Sequence, residues 1–190
     1  EDYLGNSFMG LILFSLAVMA VGLIFLEPML ALFGASENTL PYAADYLRIY
    51  LWGTLFVQIT VGMNYFITTQ GFAKTAMVTT MLGALLNVVL DPIFMFNFHM
   101  GIAGAALATV LAQMVSCIFV LCFLLGKRTQ IRLRLKKMRL RMRPFKKVMF
   151  LGASPFFMTS SEGIMQICFN VQMLKYGGDL AVSAMTILFS

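Results

Sequence analysis

Across 190 residues, hydrophobic side chains make up 60% and charged ones only 12%, with a formal net charge of +6. With a mean hydropathy of +0.86, this excludes a water-soluble domain, which could not bury so much apolar surface. Lipid is the solvent such a chain requires, and the fold expected is an all-α integral membrane bundle with several spans.

Hydropathy read against chain breakers places spans at about 7 to 33, 42 to 70, 76 to 98, 102 to 125 and 148 to 175, with a sixth beginning near 180. The chain opens "EDYLGNSF" without an initiator methionine or signal peptide and stops at "AMTILFS" inside an apolar run, so it reads as a piece of a larger protein. Cys117, Cys122 and Cys168 fall in apolar runs without metal-ligand spacing, and read as small buried hydrophobes rather than a disulfide framework.

In the first span Glu27 falls near one end, where contact with water or head groups explains it. The second span carries Asp45, Arg48 and Trp52 toward its start, then Gln58, and a polar stripe of Thr60, Asn64 and Thr68. Such a stripe serves helix packing as readily as ligand contact. The third span contains "ALLNVVLDPIFMF". Asn87 and Asp91 are four residues apart and share one helical face. Pro92 has no amide hydrogen, so the Val88 carbonyl loses its helical partner. An acid, an amide and a freed carbonyl on one face suit a small cation, such as Na+ at Asp91, or a proton.

The fourth span supplies a partner. Asp91 is about 9 residues before Met100 and Thr109 about 9 after it, so each sits roughly 13 Å from the turn and the two are level across an antiparallel hairpin. Gly101, Gly104, Ala105 and Ala108 place small residues at helix-packing spacing, easing close approach. Thr109, Gln113 and Ser116 continue a polar line at i, i+4 and i+7.

Residues 127–147 hold eleven of the fourteen Lys and Arg, so the positive-inside rule puts this loop in the cytoplasm. The turn at 71–75 is then cytoplasmic too, and the turns at 34–41 and 99–101, the latter with His99, face outside. "IRLRLKKMRLRMR" alternates at period two with no interleaved aromatics, which favours a topology-setting connector resting on membrane lipids and argues against nucleic-acid binding. The fifth span holds Glu162, with Gln166 and Asn170 extending its face and Thr159 a turn earlier. No Lys or Arg within the spans is placed to neutralise Asp91 or Glu162, apart from Arg48 near a span end. A buried carboxylate must therefore be protonated, ion-bound or exposed to a wet cavity, as in a proton or sodium relay. Asn64, Gln113, Gln166 and Asn170 are the polar residues offered to a substrate cavity. Sixteen Met and eighteen Phe add soft apolar surface for varied ligands or for lipid.

"LPYAADYLRIYLWGT", "LNVVLDPIFMF", "GIAGAALATVLAQ" and "LGASPFFMTSSEG", in this order and spacing, resemble the MATE (multidrug and toxic compound extrusion) family over nearly the whole chain. The resemblance implies twelve helices in two six-helix lobes. Residues 1–126 then look like helices three to six of the N-terminal lobe, 127–147 like the interlobe loop, and 148–190 like helix seven and the start of eight. It further implies a cation site at Asn87, Asp91 and Thr109, and sodium coupling at Glu162. The acid that members carry on helix one has no counterpart here, and this segment alone is not expected to transport.

The function expected is secondary active export of small organic cations or amphipathic drugs across a bacterial inner membrane. It would exchange them for H+ or Na+, with no other cofactor and with the remaining helices of the same polypeptide as partner. The alternatives are a lipid-linked oligosaccharide flippase, which calls for more cationic residues in its cavity, and a passive channel. No nucleophile–base pair or His/Cys/Asp cluster supports an enzyme.

Overall fold

The computed structural model describes residues 2–126, 129, 131–133 and 142–189. Among these the regular elements are all helical: α1 (Asp2–Ile24), α2 (Leu26–Leu32), α3 (Leu40–Thr69), α4 (Ala73–Pro92), a π-helical turn (Ile93–Asn97), α5 (Gly101–Leu125) and α6 (Met142–Phe189). A break at Phe25 (φ −106°, ψ 25°) separates α1 from α2, which together fill the first expected span. A second break divides α6 at Gly178 (φ 63°, ψ −167°), close to where a sixth span was expected to begin.

The helix bounds depart from expectation in two places. The first helix starts at Asp2 rather than near residue 7. Helix α6 starts at Met142, inside the segment expected to be loop through 147. Lys and Arg are good helix formers, so a run of charge marks where a helix leaves hydrocarbon and not where it unwinds. Most of the basic segment, 127, 128, 130 and 134–141, lies outside the described residues.

Three helical stretches, Asp2–Ile24, Ala73–Asn97 and Gly101–Leu125, are each long and apolar enough to cross a membrane. Helix α3 has the length, 30 residues or about 45 Å, but a more polar sequence. Large apolar side chains face outward, among them Leu85 (61% exposed) and Val88 (68%), an arrangement that suits lipid and would be unfavourable in water.

Helix α5 is central, packing on α3 and α4, while α1 packs on α3. Its buried stripe is small: Gly104, Ala108, Ala112 and Ser116 recur every four residues. At one end of the bundle, Leu4, Phe8, Ile59, Met63, Ile67, Ala76, Val120 and Leu124 form the main apolar core. Leu133 joins that core from the segment after α5. The same segment is tied down by hydrogen bonds from Ile131 N to Gln70 Oε1 (2.9 Å) and from Leu133 N to the Leu124 carbonyl (3.1 Å). This end, to which the segment holding Arg132 belongs, is the basic end of the bundle. A smaller cluster of Leu26, Ala44 and Leu51 lies toward the other end.

At that far end the chain reverses between α4 and α5 through His99 (φ 54°) and Gly101 (φ 57°). Pro92 closes α4, and the backbone then widens into the π turn, with Phe98 N bonded to the Ile93 carbonyl at 3.1 Å. Gly104 presses against this turn: a Cβ there would stand 2.8 Å from the carbonyl carbon and oxygen of Phe94. Main chain cannot rotate aside as a side chain can. Gly104→Val is therefore expected to destabilise the hairpin by about 1–3 kcal/mol, read as a lower melting temperature of the detergent-solubilised full-length protein.

Candidate functional site

The α4–α5 hairpin positions the residues singled out in the sequence. Asn87 and Asp91 face α5 from successive turns of α4, and Thr109 meets them from α5. One group links all three: Asn87 Nδ2 donates to Asp91 Oδ1 at 3.0 Å and to Thr109 Oγ1 at 3.2 Å. Thr109 in turn donates its hydroxyl proton to the Ala105 carbonyl at 3.0 Å. Both N–H groups of the Asn87 amide are thus committed, while Asn87 Oδ1, Asp91 Oδ2 and the one remaining Thr109 lone pair stay available as acceptors. All three side chains are half-buried. The cluster is acidic and rich in oxygen, a donor set that suits a small cation or a proton.

Next to it, between α3, α4 and α5, is a cavity of about 250 Å³. Thr60, Asn64, Thr80, Asn87, Thr109 and Gln113 are among its walls, with Thr79, Gly83 and Ser116 beside them, and among the described residues no Lys or Arg lines it. Asn64 and Gln113, two of the polar residues expected at a substrate cavity, thus share this one. Asn64 Nδ2 donates to the Ala76 carbonyl at 3.3 Å, tying α3 to the start of α4.

Glu162, Gln166 and Asn170 are placed elsewhere. They ride on α6, whose main packing among the described residues is against α1. Glu162 and Gln166 are exposed. Asn170 sits beside the turn after α2, where a Cβ on Gly34 (φ 91°) would come within 3.4 Å of it. A polar stripe on one helix fixes a face but not which neighbour that face meets. The structure therefore leaves Gln166 and Asn170 outside the cavity and Glu162 apart from the Asp91 cluster.

Thr79 and Thr80 are not among the residues expected from the sequence. The signal was nonetheless present, since Thr79, Gly83, Asn87 and Asp91 follow one another at steps of four on a single face of α4.

The MatE family model matches residues 1–93. The multidrug export protein MepA of Staphylococcus aureus is 25% identical over 195 residues, covering 100% of this chain and 43% of that protein. Among solved structures, the MATE multidrug transporter DinF-BH is similar with a TM-score of 0.91 at 33% identity, over 97% of this chain and 41% of its own. An inward-facing multidrug resistance MATE transporter of the MOP superfamily is similar in fold, with a TM-score of 0.89 at 24% identity over 97% of this chain and 42% of that one. The chain spans about two fifths of the length of these relatives.

Proposed function

We propose that the chain, which is similar to MATE transporters over nearly its whole length, is a member of that transporter family and forms part of a secondary active antiporter. This antiporter exports cationic or amphipathic organic compounds in exchange for inward H+ or Na+. In this reading residues 1–126 contribute to one lobe, the basic segment 127–147 is the cytoplasmic interlobe loop, and 148–190 open the second lobe. The setting is a bacterial inner membrane. The observation that carries the reading is the pair of hydrogen bonds from Asn87 Nδ2 to Asp91 and Thr109, which holds an acid and neutral oxygens around one point of a largely apolar hairpin.

The chemistry follows from that geometry. An ionised Asp91 in a membrane segment is costly, and H+ or Na+ relieves the cost. Neutralisation changes what the Asn87 amide and the helix end at Pro92 must satisfy. An ion that binds one arrangement of α4 better than another shifts the equilibrium toward it, which is all that coupling requires. Glu162, apart from this cluster, serves in this reading as a second and separate acid. A flippase for anionic lipid-linked sugars would need cationic side chains, and the described cavity walls have none.

The test is exchange itself. In proteoliposomes holding the full-length protein, an organic cation is expected to move against its own gradient only when an inward H+ or Na+ gradient is imposed. Ion current that persists without organic substrate, and does not move it, would instead make the protein a channel.

A further inference from the structure

Helix α6 touches the α1–α2 stretch near both of its ends. Near the basic end, a Cβ at Gly10 would stand 3.1 Å from the ring of Phe145. At the far end, a Cβ at Gly34 would stand 3.4 Å from the Cβ and carbonyl carbon of Asn170 and from the amide nitrogen of Val171. The spacing from Gly10 to Gly34 nearly equals that from Phe145 to Asn170, so α6 runs beside α1–α2 in the same direction for about 36 Å, at about 1.5 Å per residue.

The turn that makes the far contact is held by its own bonds. Gly34 N donates to the Ala31 carbonyl (3.1 Å) and Ala35 N to the Leu30 carbonyl (3.0 Å), the pattern that closes a helix on a left-handed glycine, and φ at Gly34 is 91°. Next, Ser36 N donates to Thr39 Oγ1 (3.0 Å) and Thr39 N to Ser36 Oγ (3.3 Å), a reciprocal pair leading into α3. Among the described residues no hydrogen bond crosses from this turn to α6. Shape alone holds the two together, so parting them strands no donor or acceptor. The turn keeps its form with or without α6, so closing again orders little chain. A surface that opens and closes repeatedly calls for both properties.

Connectivity favours movement at this end. The chain joins α5 to α6 at the basic end, where the connector limits how far the helices can separate, and no connection within these residues spans the far end. In the reading above, α1–α2 belongs to one lobe and α6 opens the other. We propose that the Gly34–Asn170 contact is the closing point of an outer gate: the turn at 34–39 seats on α6 at Asn170 and Val171 when the outward path is shut, and lifts off when it opens. The inference rests on the two-lobe antiporter reading and names where that antiporter closes.

The experiment uses the full-length protein with Cys117, Cys122, Cys168 and any cysteine elsewhere in it changed to alanine. The 3.4 Å between a Cβ at Gly34 and that of Asn170 is close to the about 3.5–4.5 Å that a disulfide spans. Gly34→Cys with Asn170→Cys is expected to join on mild oxidation, seen by mass spectrometry as linked peptides. Gradient-driven efflux of tetraphenylphosphonium from proteoliposomes should then fall by about tenfold or more and return on reduction. Because a side chain at this φ is strained, Ala35→Cys with Asn170→Cys, bridged by a short bismaleimide, takes over should the first pair fail to elute as a folded monodisperse protein. A bond that forms and leaves efflux unchanged makes the contact a fixed brace and overturns the gate. Failure of both pairs to join overturns the contact itself. Efflux by the reduced variant reports on the antiporter reading and its loss on oxidation reports on the gate, so the two fail separately. If the reduced variant does not export, labelling of Asn170→Cys by a membrane-impermeant maleimide decides: a rate that rises severalfold with tetraphenylphosphonium supports the gate, and an unchanged rate overturns it.

Discussion

Asp91→Asn in the full-length protein is expected to abolish gradient-driven efflux, lowering its rate by at least about tenfold, while substrate binding and protein level remain. The substitution is nearly isosteric. An asparagine at 91 can still accept from Asn87 Nδ2 through its carbonyl oxygen, so the 3.0 Å link across one turn of α4 can persist. What disappears is the charge, and with it the preference for an ion-bound state that makes coupling possible. Efflux of an organic cation from proteoliposomes, under an imposed H+ or Na+ gradient, measures this directly. Unchanged efflux would reduce Asp91 to a brace where α4 gives way to the π turn, and would move the coupling role to Glu162.

Much of this cluster was legible before any coordinates, for physical reasons that can be named. The i, i+4 spacing of Asn87 and Asp91 fixes their shared face whatever the surroundings. Thr109 could be matched to them because the turn around Met100 is tight, so counting residues away from it on both helices gives equal depth. A longer connector would have spoiled that count. Pro92 announced a freed carbonyl and an irregular helix end, but not its form. The backbone answers with a π turn, against which Gly104 fits closely. The neighbours of α6 were not legible, because Glu162, Gln166 and Asn170 define a stripe and nothing in a stripe names the helix it faces. The burial of Leu133 was hidden as well: within "IRLRLKKMRL" its charged neighbours dominate the pattern, and only the fold shows the bundle end that it fills.

Asn87→Leu is the sharper probe of geometry, as Asp91→Asn is of charge. Leucine keeps the γ-branched shape and is a better helix former, but removes the donor that holds Asp91 Oδ1 and Thr109 Oγ1 together, along with the Asn87 carbonyl oxygen. A hydrogen bond to a charged group contributes roughly 1.5–3 kcal/mol; with the Asn87 oxygen also lost, Na+ affinity is expected to fall by about 10–100-fold, whereas H+ affinity, which a donor to the carboxylate lowers, is expected to rise. The carboxylate remains, so efflux should recover at high ion concentration, whereas in Asp91→Asn it should not. Initial efflux rates titrated against Na+ separate the two: a raised half-saturation with a preserved maximum marks Asn87 as the group that positions the acid. A lost maximum in both variants would mean that the amide is itself indispensable to the conformational step. An unchanged half-saturation in Asn87→Leu would mean that Asp91 holds its ion without help from either neighbour, and the three-residue cluster would then have to be reduced to the acid alone.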